Sequence, residues 1–103
     1  MERYMWRGRV APSKLTEYIR RHDEIWQEMT EAIDATGVHN YSIWNSGDEL
    51  FGYYECESVA KTKQLQMENE VFARWNEYMK DVLILEQDKD GKNSKMKQIF
   101  LHK

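Results

Sequence analysis

Residues 38–56, VHNYSIWNSGDELFGYYEC, decide how the rest of the chain must be arranged. VHNYSIW and ELFGYYEC are rich in β-branched and aromatic residues, and NSGD between them is a turn of hairpin size, so the stretch predicts two antiparallel strands. Upstream of the hairpin, residues from about Ser13 to Thr36 carry apolar side chains at helical spacing, with Gly37 as a left-handed stop. Pro12 suits the start of that helix and Ser13 can cap it. Further upstream, RYMWRGRV (3–10) alternates, with Tyr4, Trp6, Gly8 and Val10 on one face and Met5, Arg7 and Arg9 on the other, which is a strand. Downstream, residues 58–69 are polar and weakly helical. EVFARWNEYMKDV (70–82) is amphipathic, with Val71, Trp75, Tyr78, Met79 and Val82 on one side. EQDKDGKNSK (86–95) is expected as a solvated loop and MKQIFLH (96–102) as a last strand.

The order is β-α-β-β-α-β in one domain over residues 1–103, the α+β pattern of ferredoxin-like folds: one antiparallel sheet with helices on one face. The other face stays open. Tyr4, Trp6, Tyr53 and similar strand residues exceed what one small core can hide, so a homodimer joined through the open faces is expected.

Composition narrows the function. The chain has 103 residues, a net charge of -3 and 32% charged residues of mixed sign, which argues against nucleic acid or an anionic membrane as partner. MERYMWRGRV has no apolar core of a signal peptide, and no stretch approaches the roughly 20 apolar residues of a membrane helix. A lone cysteine, Cys56, fits the reducing cytoplasm and reads as a buried thiol. His22, His39 and His102 lack metal-ligand spacing, DKDG lacks the glutamate of a calcium loop, and there is no glycine-rich phosphate cradle, so neither metal nor cofactor is expected. Aromatic residues reach 13%, with four Trp and six Tyr. Such side chains fill small cores, and they also suit a ligand that is part apolar and part hydroxylated.

His22 is the residue that asks for chemistry. Tyr18 precedes it by four residues and Trp26 follows it by four, on a stripe shared with Leu15, Met29 and Ile33. An imidazole there is either a hydrogen-bonded interior group or a proton carrier. Tyr41, on the strand that follows the helix, can approach Tyr18 and His22, and three proton-bearing groups between aromatic walls describe a site for a hydroxylated molecule.

EYIRRHDEIWQEM, GVHNYSIW and RWNEYMKDV resemble, in order and spacing, the L-rhamnose mutarotase family over nearly the whole chain. The resemblance implies a dimeric ferredoxin-like α+β barrel, no cofactor, and interconversion of the α and β anomers of a 6-deoxy-sugar. It implies His22 as proton donor, with Tyr18 and Tyr41 binding a monosaccharide. Where the family's rhamnose enzymes often carry two adjacent tryptophans, this chain has Trp75 and Asn76. Trp75 still offers an apolar ring to the sugar, or serves as a core residue of its helix. Asn76 makes the pocket more polar and brings L-fucose or another deoxyhexose beside L-rhamnose as substrate. The alternative is a non-catalytic sugar-binding dimer with the same pocket.

Overall fold

The computed structural model describes residues 1–85 and 96–103. Strand β1 (Glu2–Val10) leads to helices α1 (Leu15–Asp23) and α2 (Gln27–Ala35), then to the hairpin β2 (His39–Ser46) and β3 (Glu49–Cys56). Helices α3 (Val59–Glu68) and α4 (Glu70–Met79) and a short strand β4 (Leu83–Leu85) follow. The sheet has the order β2-β3-β1-β4 and every neighbouring pair is antiparallel. This is the ferredoxin-like α+β arrangement.

Period two in β1 sends Trp6, Gly8 and Val10 inward and leaves Met5, Arg7 and Arg9 exposed. On the helix-covered face Trp6, Val10 and Leu50 pack with Tyr18, Met29, Trp75, Met79 and Val82. A smaller group of Val38, Tyr54 and Cys56 closes the end of the core, and the Cys56 thiol is free and wholly buried there.

Four expectations need correction. The single helix from Ser13 to Thr36 is two helices: α1 ends at Asp23 with Glu24 as its C-cap, and Trp26 restarts the chain in extended geometry at φ -62, ψ 138. The break turns both Ile25 and Trp26, adjacent residues, toward the core. Ser13 does not cap α1. It takes a left-handed φ of 64 in the turn after Pro12, Lys14 holds the cap position, and no side-chain oxygen accepts there.

The last strand is Leu83–Leu85, which pairs with β1 at Gly8–Val10, whereas residues 96–103 carry no strand. Fully buried Val82 delivers the chain directly to the free edge of β1, so closing that pairing requires almost no loop. Residues 86–95, expected as a solvated loop and containing DKDG, lie outside the described residues.

The open face of the sheet also differs in membership. Tyr4 and Trp6 face the helices, so the apolar surface of the open side comes from Met5, Trp44, Phe51 and Tyr53 instead. Trp44 is the most open of these, at 68% exposure. No described helix is long and apolar enough to cross a membrane.

Candidate active site

A cavity of about 1070 Å³ lies between the helix-covered face of the sheet and the helices. His22, Tyr18, Tyr41, Trp75 and Asn76 all line it. The size is at the upper end of the roughly 300–1,000 Å³ of small-molecule sites, with room for a monosaccharide.

His22 occupies the last turn of α1, half-buried. Its Nδ1 lies 3.0 Å from the Tyr18 carbonyl oxygen, one turn earlier. A carbonyl can only accept, so Nδ1 carries a proton and donates it. In the neutral ring the lone pair then belongs to Nε2, the one nitrogen left to exchange a proton. Two aromatic contacts hold the ring: Tyr18 at 4.6 Å between centroids, and the edge of Trp75 at 5.6 Å and 86°.

Trp75 is buried in the core and lines the cavity as well, so the two sequence readings describe one residue. It meets Trp26 nearly perpendicularly, at 5.1 Å and 88°. Asn69 places it by capping α4: its Oδ1 accepts from the Val71 and Phe72 backbone N–H groups at 2.9 and 3.1 Å. Asn76, next in sequence, is exposed at the cavity rim.

Helices α1 and α4 are locked together beside His22. The Arg21 guanidinium donates to Glu17 at 2.7 Å, to the Tyr78 carbonyl at 2.7 Å and to Asp81 at 2.8 and 3.2 Å. It also lies over the Tyr78 ring at 4.5 Å. The Arg20 and Arg21 guanidiniums hold the Glu17 carboxyl down at about 2. In the sequence Arg21 stands out only as part of the EYIRRHDEIWQEM motif. Arg21 is in fact the clamp that sets the position of the next residue, His22.

Tyr41 reaches the cavity through a bulge in β2. His39 pairs with Glu55 and Ser42 with Tyr53, so three steps along β2 match two along β3. Asn40 absorbs the extra residue at a left-handed φ of 50, and its Nδ2 donates to Glu55 at 2.8 Å. Glu55 is held in turn by the Tyr53 hydroxyl at 2.6 Å. The Asn40 amide is thereby fixed on the open face, while Tyr41 turns to the other side. Over a third of Tyr41 is exposed, yet its phenol oxygen sits inside, accepting from Trp6 Nε1 at 3.0 Å. Burial outweighs that hydrogen bond and pushes the Tyr41 phenol up to about 12. Burial, aided by neighbouring Tyr41, drives Tyr18 higher still. Both phenols therefore stay neutral donors rather than bases near neutral pH.

Trp6 and Gly52 shape this candidate site, and neither stands out as a site residue in the sequence. They pair directly across β1 and β3, and a Cβ on Gly52 would fall inside the Trp6 indole. The empty seat on β3 lets Trp6 lie across that strand and reach Tyr41 on β2. A glycine inside an aromatic-rich strand was the available signal, since such a position often marks close approach of another group. Among the described residues no group of three His, Cys, Asp or Glu side chains is placed to hold a metal ion.

The sequence profile described as L-rhamnose mutarotase matches residues 3–102. Among curated relatives, the L-rhamnose mutarotase of Oceanobacillus iheyensis is 34% identical over 93 residues, covering 88% of each chain. That of Bacillus subtilis is 36% identical over 93 residues with the same coverage. That of Listeria monocytogenes is 40% identical over 76 residues, 72% of each. A crystal structure of an L-rhamnose mutarotase from Formosa agariphila superposes with a TM-score of 0.78 at 20% identity, covering all of both chains. Tetracenomycin F2 cyclase from Streptomyces glaucescens, a type-II polyketide cyclase, shares the fold at TM-score 0.67 and 17% identity, over 99% of this chain and all of its own. With a profile that spans nearly its whole length and relatives this similar, the chain belongs to the L-rhamnose mutarotase family.

Proposed function

We propose that the protein is a cofactor-independent mutarotase that interconverts the α and β anomers of L-rhamnose or a related 6-deoxyhexose such as L-fucose. Family membership supports the reaction type. The single observation that carries the site assignment is His22, whose Nδ1–H is committed to the Tyr18 carbonyl in a cavity lined by Tyr18, Tyr41 and Trp75.

Ring opening needs a proton delivered to the ring oxygen and one removed from the anomeric hydroxyl. His22, protonated, donates from Nε2 to the ring oxygen as the bond from that oxygen to C1 breaks. The anomeric hydroxyl loses its proton to water, and C1 becomes the aldehyde. Rotation about C1–C2 exposes the other face of the carbonyl. The former ring oxygen attacks it and returns its proton to Nε2, and the new anomeric oxygen takes one from water. Positioned acid–base catalysis contributes factors of about 10² to 10⁴, adequate for a reaction that already proceeds unaided.

Tyr18 and Tyr41, kept neutral, hold sugar hydroxyls. Trp75, with Trp26 against it, forms the apolar wall, and Asn76 offers two donors and an acceptor at the rim. The protein acts as a homodimer joined through the open sheet face, because Trp44, Met5, Phe51 and Tyr53 form an apolar surface there. A reduced, buried Cys56 is consistent with a cytoplasmic setting.

Saturation-exchange NMR on L-rhamnose and L-fucose tests the function. Irradiating one anomeric proton should attenuate the other in the presence of protein, faster than in its absence. Binding without faster exchange would overturn the reading in favour of a non-catalytic sugar-binding protein.

A further inference from the structure

Three tyrosines cross the sheet in a row on its helix-covered face. Tyr4 on β1 pairs directly with Tyr54 on β3, their ring centroids 5.2 Å apart, and Tyr54 lies opposite the bulge that carries Tyr41, at 5.5 Å. All three line the same cavity as His22. Their surroundings differ. Tyr41 has the Trp6 indole as partner, and the Tyr4 ring has the Lys63 ammonium 3.9 Å from its centre. Tyr54 is only 3% exposed, and its hydroxyl, closed off from water, has no hydrogen-bond partner among the described residues. Gln66 of α3, another cavity residue, interacts with that phenol but does not close a hydrogen bond.

A buried hydroxyl without a partner is a standing cost to the fold, and phenylalanine would fill the same space without it. Packing therefore does not account for the oxygen. Ring contacts join His22 to Tyr18 and Tyr41 to Tyr54, and Tyr18 and Tyr41 line the same cavity, so Tyr54 stands two tyrosines removed from the acid–base group. We propose that Tyr54, with Gln66 beside it, forms a specificity subsite that reads a hydroxyl of the sugar ring away from the anomeric carbon. The proposal rests on the mutarotase reading of the cavity.

The ligand class is a neutral polyol ring. Burial raises the Tyr54 phenol above the ordinary tyrosine range, so it stays protonated and can donate, and the Gln66 amide supplies both a donor and an acceptor. One sugar hydroxyl, admitted as the Gln66 side chain turns aside from the phenol, accepts from Tyr54 and bonds to Gln66, which satisfies both side chains. A site with an unmatched buried donor also penalises an analogue that lacks that hydroxyl, because the phenol is then left unpaired in the complex.

The test compares wild type with Tyr54→Phe by anomer-exchange NMR. The sugars are L-rhamnose, L-fucose and singly deoxygenated analogues of whichever is turned over. Kd values come from tryptophan fluorescence, and Tm is measured alongside. Tyr54→Phe should raise KM for the preferred sugar about five- to tenfold, the range of one neutral hydrogen bond, with kcat within about twofold. It should also lose the wild-type preference for the sugar over one analogue, and its Tm should be unchanged or higher. Gln66→Leu should raise KM in the same direction. Unchanged KM and unchanged preference in Tyr54→Phe would overturn the proposal, as would a lowered Tm with KM unaltered, which marks a structural hydroxyl. A wild type that binds sugar without exchange would sink the mutarotase reading alone, since the Kd ratio of Tyr54→Phe to wild type still decides the subsite.

Discussion

Gly52→Ala adds one methyl group to β3, and the structure sets its effect. Two effects compete. Alanine restricts the unfolded chain more than glycine, which ordinarily stabilises a compatible site by about 0.4–1 kcal/mol. Here, however, the new Cβ would lie inside the Trp6 indole, with Nε1 among the atoms it overlaps. Trp6 is buried and must leave its seat, at an overpacking cost of about 1–3 kcal/mol. Moving the indole also breaks the 3.0 Å hydrogen bond to Tyr41, a further loss of about 0.5–1.5 kcal/mol. The steric terms win, leaving a net destabilisation of about 1–4 kcal/mol. For a domain of this length the unfolding entropy makes that a fall in Tm of roughly 5–20 °C. Differential scanning calorimetry with urea titration measures it, and sugar KM should rise because Tyr41 loses its anchor. The control is Gly52→Ala in a Trp6→Leu background, where the seat is already vacant and the alanine should cost almost nothing. A Gly52→Ala protein as stable as wild type, or the same penalty in both backgrounds, would refute the argument.

Three further outcomes are expected. His22→Gln should keep the fold and most sugar binding but lose accelerated anomer exchange, since an amide hydrogen-bonds without shuttling protons; wild-type exchange per folded molecule would remove His22 from the mechanism. At the bulge, Asn40→Gly should lose only the bond to Glu55, about 1 kcal/mol, because glycine accepts the left-handed φ. Asn40→Val should lose about 2–3 kcal/mol, with weaker sugar binding, from backbone strain plus the missing bond to Glu55; equal stability of the two variants in urea would show that the conformation is not required. The Glu17 carboxyl is depressed to about 2 from 4.5, so its contribution to stability is complete above about pH 4.5 and is lost as pH falls toward 2. Glu17→Gln should flatten the pH dependence of stability across that window, and an unchanged acid limb would exclude the pairing of Glu17 with Arg20 and Arg21 as its source.

The succession of first strand, helical region, hairpin and second helical region is legible in the residues alone, because periodicity is a local property. The alternation in 3–10, the hairpin turn at NSGD and the apolar spacing in 70–82 each follow from neighbours a few residues away. The sequence also marks His22, Tyr18 and Tyr41 through the stripe around His22 and the strand after it, and Trp75 and Asn76 through the family resemblance alone, and all five line the cavity. Tertiary structure decided what depends on partners distant in sequence. Arg21 is one charge among several until Tyr78 of α4 and Asp81 of the turn after it arrive. The edge of β1 went to Leu83–Leu85 because buried Val82 already lay beside it, a competition that strand propensity at 96–102 could not register. Gly52 is an ordinary weak point of a strand until Trp6 crosses it, and Tyr54 is an ordinary core tyrosine until its hydroxyl is found without a partner. Local patterning specifies which way a side chain faces, but only packing determines which atom it meets there, and the chemistry of this cavity depends on the atoms that meet.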